Sequence, residues 1–161
     1  ATFHVPVCMA VKLFFAEIHT FEKDLHSITT LDRPDECIIN LMISKAAPLS
    51  KETKEKCITS NFLRCFFDTN ILDPWYFCYQ FNIGKEIEEQ IYRFHQGNTL
   101  SVKKLNVQIV GKLKIPLIDM QRQRLIGSLY KKSIIQKDLM LQQAENMESM
   151  VFTVIKKIEE D

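Results

Sequence analysis

Glycine is scarce in this chain, at four residues in 161. That leaves little material for loops that wrap phosphate groups with bare backbone. The glycine-rich dinucleotide fingerprint and the P-loop are both absent, as are H-E-x-x-H, G-x-S-x-G and the EF-hand loop. The five cysteines are Cys8, Cys37, Cys57, Cys65 and Cys78, and no two stand in C-x-x-C spacing. A zinc ribbon or a thioredoxin-type motif is thereby excluded. An odd number cannot all pair within one chain. They read as reduced, mostly buried small hydrophobes, which points to the cytoplasm or nucleus. A secreted protein with one or two disulfides is the other reading. No N-x-S/T sequon occurs. The longest nearly apolar stretch, Val5 to Ala16, contains Lys12 and falls short of the roughly 20 residues that span a bilayer. It also lacks the basic leader of a signal peptide. The chain begins at Ala1 rather than Met, which leaves a removed signal open.

What is present is an ordinary globular mix, 46% hydrophobic and 25% charged. The length suits one domain over residues 1–161, with enough chain to bury a core unaided. Val7, Val11, Phe14, Ile18, Phe21, Leu25 and Ile28 step by four and three, which predicts a first helix of about six turns. Asp32 to Pro34 reads as the start of a second helix, running to about Ala46. Ser50 caps a third, with Cys57, Ile58, Phe62, Cys65, Phe66 and Leu72 on its inner face. Asp73-Pro74 repeats the cap-and-proline signal, and Ile83, Ile87, Ile91 and Phe94 continue helically towards a stop at Gly97-Asn98. Residues 105–115 fit either a helix or a short strand; helix is favoured because no second strand candidate stands nearby. Leu117 to Gln143 reads as helix, kinked at Gly127. Met147, Val151, Val154 and Ile158 form a last helical stripe. The expected fold is all-α, a single-domain bundle of six or seven helices.

The net charge of +1 hides a segregation. Residues 1–97 carry −3, residues 98–137 carry +8, and residues 138–161 carry −4. The basic stretch contains Lys103, Lys104, Lys112, Lys114, Arg122, Arg124, Lys131, Lys132 and Lys137, against Asp119 alone. Such a field suits an acidic partner or nucleic acid. Neutralisation by the acidic C-terminal helix is the plainer explanation. Tyr130 is the one aromatic in the stretch, so base stacking has little to work with.

Aromatic residues are segregated too, ten of sixteen lying between Phe62 and Phe94. The run Trp75, Tyr76, Phe77, Tyr79, Phe81 covers every side of a helix. Most of it belongs in a core. Trp75, Tyr76 and Tyr79 are the candidates for a partner-binding patch if any part is exposed.

Catalytic signals are faint. His19, Glu22 and His26 share a helix flank, a spacing that amphipathic helices produce by chance. Cys78 and His95 lack an orienting third residue. No catalytic residue, metal or cofactor is implied, and the balance leans away from an enzyme.

One stretch resembles, in part, the central helical domain of the S-II transcription elongation factors. The matching residues are Lys56-Cys57, Ile87-Glu88-Glu89 with Ile91-Tyr92, Leu113-Lys114, Leu125-x-Gly127, and Ala144-Glu145 with Met147. The family's Tyr-Lys pair is Val102-Lys103 here, its Asn before Leu-Lys is Lys112, and its zinc ribbon is absent. The resemblance implies an all-helical domain over roughly residues 52–156.

The reading that fits best is a non-enzymatic helical module that binds a protein partner. The alternatives are association with nucleic acid or transcription machinery through residues 98–137, and a secreted helical cytokine.

Overall fold

A computed structural model describes residues 3–6, 11–15, 35–49, 61–96 and 104–160. The chain divides into two compact units, Ala1–Tyr130 and Lys131–Asp161. The first unit is not a helical bundle. It is mixed α and β, which corrects the all-α expectation and removes the basis for a helical cytokine.

Strands β1 (Phe3–Pro6), β2 (Val11–Phe15), β3 (Glu36–Asn40), β4 (Lys45–Pro48) and β5 (Phe62–Phe67) precede helices α1 (Pro74–Ile83), α2 (Lys85–Gln96) and α3 (Val107–Lys112). Strand β6 (Lys114–Leu117) and helix α4 (Met120–Glu160) follow. An antiparallel sheet runs in the order β2-β5-β3-β4, and β1 pairs antiparallel with β6.

The expected first helix is strand at Val11–Phe15; the remainder of that stripe, with His19, Glu22 and His26, lies outside the described residues. The expected second helix is the β3–β4 hairpin, and the expected third is strand at Phe62–Phe67. The physical reason is that β3 is an interior strand. Glu36, Cys37, Ile38 and Ile39 are all buried, so both faces are covered and the run reads as continuously apolar. Periodicity alone cannot tell such a run from a helix segment. The hairpin turn is built by Asn40, whose Oδ1 accepts from the N–H of Met42 at 2.9 Å and of Ile43 at 3.3 Å. Ser44 closes it at φ 54°, the left-handed region.

Helix α1 starts where the sequence carries Asp73-Pro74. The Asp73 carboxylate accepts from the Tyr76 N–H at 2.9 Å, and Pro74 occupies the first turn. Apolar side chains surround this helix, so it sits inside the unit rather than on its surface. Tyr76, Phe77, Cys78 and Phe81 pack with Cys37, Ile39, Leu63 and Cys65 of the sheet. Phe77 meets Phe67 edge-on at 4.9 Å and lies 5.7 Å from Phe81. The stretch 105–115 contains α3, capped by Asn106, and then enters β6.

Side-chain amides finish what the short strands leave open. Asn82 of α1 pairs with Ala46 of β4 in the manner of a neighbouring strand. Its Oδ1 accepts from the Ala46 N–H at 2.7 Å and its Nδ2 donates to the Ala46 carbonyl at 2.7 Å. Gln90 of α2 does the same for Lys114 of β6, at 2.7 and 2.9 Å. Edge groups that would otherwise be left to solvent or to another chain are thereby satisfied.

Helix α4 spans the division. Its turns up to Tyr130 belong to the first unit and meet α1 through a polar residue and a glycine. Gln123 is buried; its Oε1 accepts from the Asp73 N–H at 3.0 Å and its Nε2 donates to the carbonyls of Ile71 and Ile118. Gly127 is no kink but a close approach. A Cβ there would lie 2.6 Å from Asp73 Oδ1 and 2.9 Å from the Tyr76 nitrogen. The second unit is the rest of α4, helical to Glu160. Its residues from Leu139 to Glu160 are all exposed.

Candidate functional site

The aromatic candidates are mostly interior. Trp75 is 4% and Tyr76 1% exposed. Tyr76 Oη donates to the Pro116 carbonyl at 2.8 Å and accepts from Gln80 Nε2 at 2.9 Å, so it ties α1 to β6. Burial pushes its phenol up, against the opposing hydrogen bond from Gln80. Tyr79 is half-buried and meets Tyr130 edge-on at 5.7 Å. The ten-residue aromatic concentration is thus spent chiefly on packing α1 against its neighbours.

The basic candidates divide. Lys103 lies outside the described residues. Lys104 is exposed and donates to Asn61 Oδ1 at 2.8 Å. Arg122 faces Asp119 at 3.3 Å within the first turn of α4, and Arg124 is exposed. Lys131 and Lys132 belong to the second unit.

Lys112 and Lys114 come together. They line a cleft of about 460 Å³ with His4, Glu86, Glu89, Gln90, Arg93 and Phe94. Three elements fix it. Lys112 ends α3 and Lys114 opens β6, two residues apart across the turn at Leu113. The Gln90 amide grips the Lys114 backbone from α2, leaving its ammonium side chain exposed. His4 enters from β1, opposite Pro116, and its Nε2 lies 2.7 Å from Glu86 Oε2. Arg93 lies 3.3 Å from Glu89 on the exposed face of α2.

The cleft holds three fixed cations, Lys112, Lys114 and Arg93, and two carboxylates. Exposed ion pairs such as Arg93–Glu89 are worth only a few tenths of a kcal/mol, roughly 0.3–0.5. Little is lost when such an arginine turns to another anion. The geometry suits a polyanion laid across the cleft, contacted by ammonium and guanidinium groups. The sequence singled out the two lysines but not Arg93, His4 or Gln90. Arg93 and His4 lie far along the chain from residues 98–137, and only the folding of α2 and β1 against β6 brings them there.

Nucleophilic chemistry has no support among the described residues. Cys37, Cys65 and Cys78 are free and fully buried, with Cys37 Sγ 3.4 Å from Cys78 Sγ. Burial raises the Cys37 and Cys65 thiols well above their ordinary value, which keeps them protonated. Among the described residues no group of three or more His, Cys, Asp or Glu side chains is placed to hold a metal ion. No helix among them is long and apolar enough to cross a membrane.

One buried ion pair is structural. Glu36 and Arg64 meet between β3 and β5, with Arg64 Nε donating to Glu36 Oε2 at 2.6 Å, and Arg64 lies 5.0 Å over the Phe66 ring.

No family model matches the sequence, and no curated protein matches it. The S-II resemblance implied an all-helical domain over roughly 52–156, but β5 and β6 lie within that range. The fold is similar to that of an HsdS subunit from Thermoanaerobacter tengcongensis. The TM-score is 0.50 at 14% sequence identity, covering 89% of this chain and 39% of that one. The chain therefore spans well under half the length of that structure.

Proposed function

We propose that this chain is a DNA-binding module, a mixed α/β recognition unit joined to a long helix, and that it binds rather than catalyses. The observation that carries the reading is the fold likeness to an HsdS restriction–modification specificity subunit along 89% of the chain. The charge distribution supports it independently, since residues 98–137 carry +8. The contact surface in this reading is the cleft at Lys112 and Lys114, extended by Arg93. Lys103, Lys104, Arg122, Arg124, Lys131 and Lys132 add to the attracting field rather than to one compact patch.

The test is fluorescence anisotropy of a labelled duplex over a range of salt concentrations. Affinity should fall steeply as salt rises, because each neutralised phosphate releases counterions. The double variant Lys112→Glu/Lys114→Glu should weaken binding to all sequences alike and flatten the salt slope by about two units, about one per lysine. Absence of salt-sensitive binding to any duplex at low salt would overturn the reading. Association with another protein chain has its own support in the exposed apolar residues of the second unit.

A further inference from the structure

We propose that the second unit is an antiparallel pairing surface for a second copy of this chain, centred between Met147 and Val151. The inference goes beyond DNA binding and needs no nucleic acid. Met140, Ala144, Met147, Val151, Val154 and Ile158 step by four and three and make one continuous seam. All are exposed, Val154 at 51% and Ile158 at 71%. Met150 and Ile155 widen the stripe on either side and are exposed as well. An apolar stripe of this length on one helix needs a cover, and the spacing is that of a helix–helix seam.

Charge selects the occupant and its direction. The unit begins with Lys131, Lys132 and Lys137 and ends with Glu159 and Glu160. A parallel second copy would set lysines beside lysines at one end and glutamates beside glutamates at the other. An antiparallel copy sets Lys137 beside Glu159 and Glu160 of the second copy, twice over by the two-fold axis. The seam itself is self-complementary in that direction. Met147 stands level with Val151 of the second copy, Ala144 with Val154, and Met140 with Ile158. Glu145 and Glu148 then stand level with Thr153 and Met150, and Lys156 and Lys157 with Gln142 and Leu141, all uncharged. Asp138 stands level with Glu160, but it lies off the seam on the outer side.

Sedimentation equilibrium of the full chain, without DNA, reads the outcome. The expected mass is that of two 18.9 kDa chains. Val151→Glu places a carboxylate in the seam twice and should return the single-chain mass while the far-UV spectrum keeps its helical content. Direction is read by oxidative cross-linking. Met140→Cys and Ile158→Cys should each stay uncross-linked alone, and should cross-link when the two variants are mixed and re-equilibrated. The unsubstituted chain gives the background from its own cysteines. A single-chain mass at high micromolar concentration would overturn the proposal. So would a mass unchanged by Val151→Glu, or self-cross-linking of either single variant. Loss of DNA binding with the dimer intact would overturn the proposed function and leave this inference standing.

Discussion

The two units use apolar residues in opposite ways. In the first, large apolar side chains are enclosed: Phe77, Leu63, Leu72 and Ile87 have no exposed surface. In the second, Phe152, Met147, Val154 and Ile158 are more than half exposed. Residue type alone does not separate the two; enclosure needs layers, and the first unit has a sheet and packed helices where the second has one helix. The first unit's stability is therefore carried by its own packing, and the second's by whatever covers its stripe.

The sharpest way to break that contrast is to remove one phenylalanine from each unit. Phe77→Ala empties a site enclosed by Phe67 and Phe81 and should cost about 3–5 kcal/mol in urea unfolding. Phe152→Ala, at a position 54% exposed and off the seam, should stay within about 0.5 kcal/mol. Comparable losses for the two would mean that the second unit is packed as tightly as the first.

Next in size is a substitution whose sign depends on which unit it falls in. In an exposed helix interior, Gly to Ala stabilises by about 1 kcal/mol. At Gly127 the sign should invert. The added methyl would meet the Asp73 carboxylate, the Trp75 side chain and the Tyr76 backbone, all within 3 Å. Relief requires the cap of α1 or the first turns of α4 to move, at a cost of about 1–3 kcal/mol. Chemical denaturation of Gly127→Ala decides it, and a gain in stability would mean that α4 does not dock on α1 as described.

Some of this was legible in the residues. Asp73-Pro74 marks the start of α1, and the stripe from Met147 to Ile158 lies on helix. The strands were not, for a physical reason. They are four to six residues long. A buried strand of that length shows no alternation, and apolar residues three or four apart on either side of it imitate a helix. Their edges are also completed by Asn82 and Gln90, amides whose pairing with Ala46 and Lys114 no local pattern announces. The cleft was half legible. Charge pointed to Lys112 and Lys114, while Arg93 and His4 join them only through tertiary structure.

The smallest effect, and the one that separates the units without mutation, comes from alkaline pH. Burial raises Cys37, Cys65, Tyr76 and Tyr130 above their ordinary values of 9.0 for thiols and 10.0 for phenols. All four belong to the first unit, and residues 131–161 contain no cysteine or tyrosine. Each group keeps its proton longer when folded than when unfolded. Above the ordinary values the unfolded chain therefore binds fewer protons, and stability falls as pH rises. Their contribution is fully present below about pH 8 and is lost progressively as pH climbs through the raised folded values. Trp75 fluorescence should report loss of the first unit's packing at alkaline pH before the far-UV signal of the second unit's helix declines. Simultaneous loss of both signals would mean that the helix of the second unit depends on the first unit's fold and does not stand on its own packing.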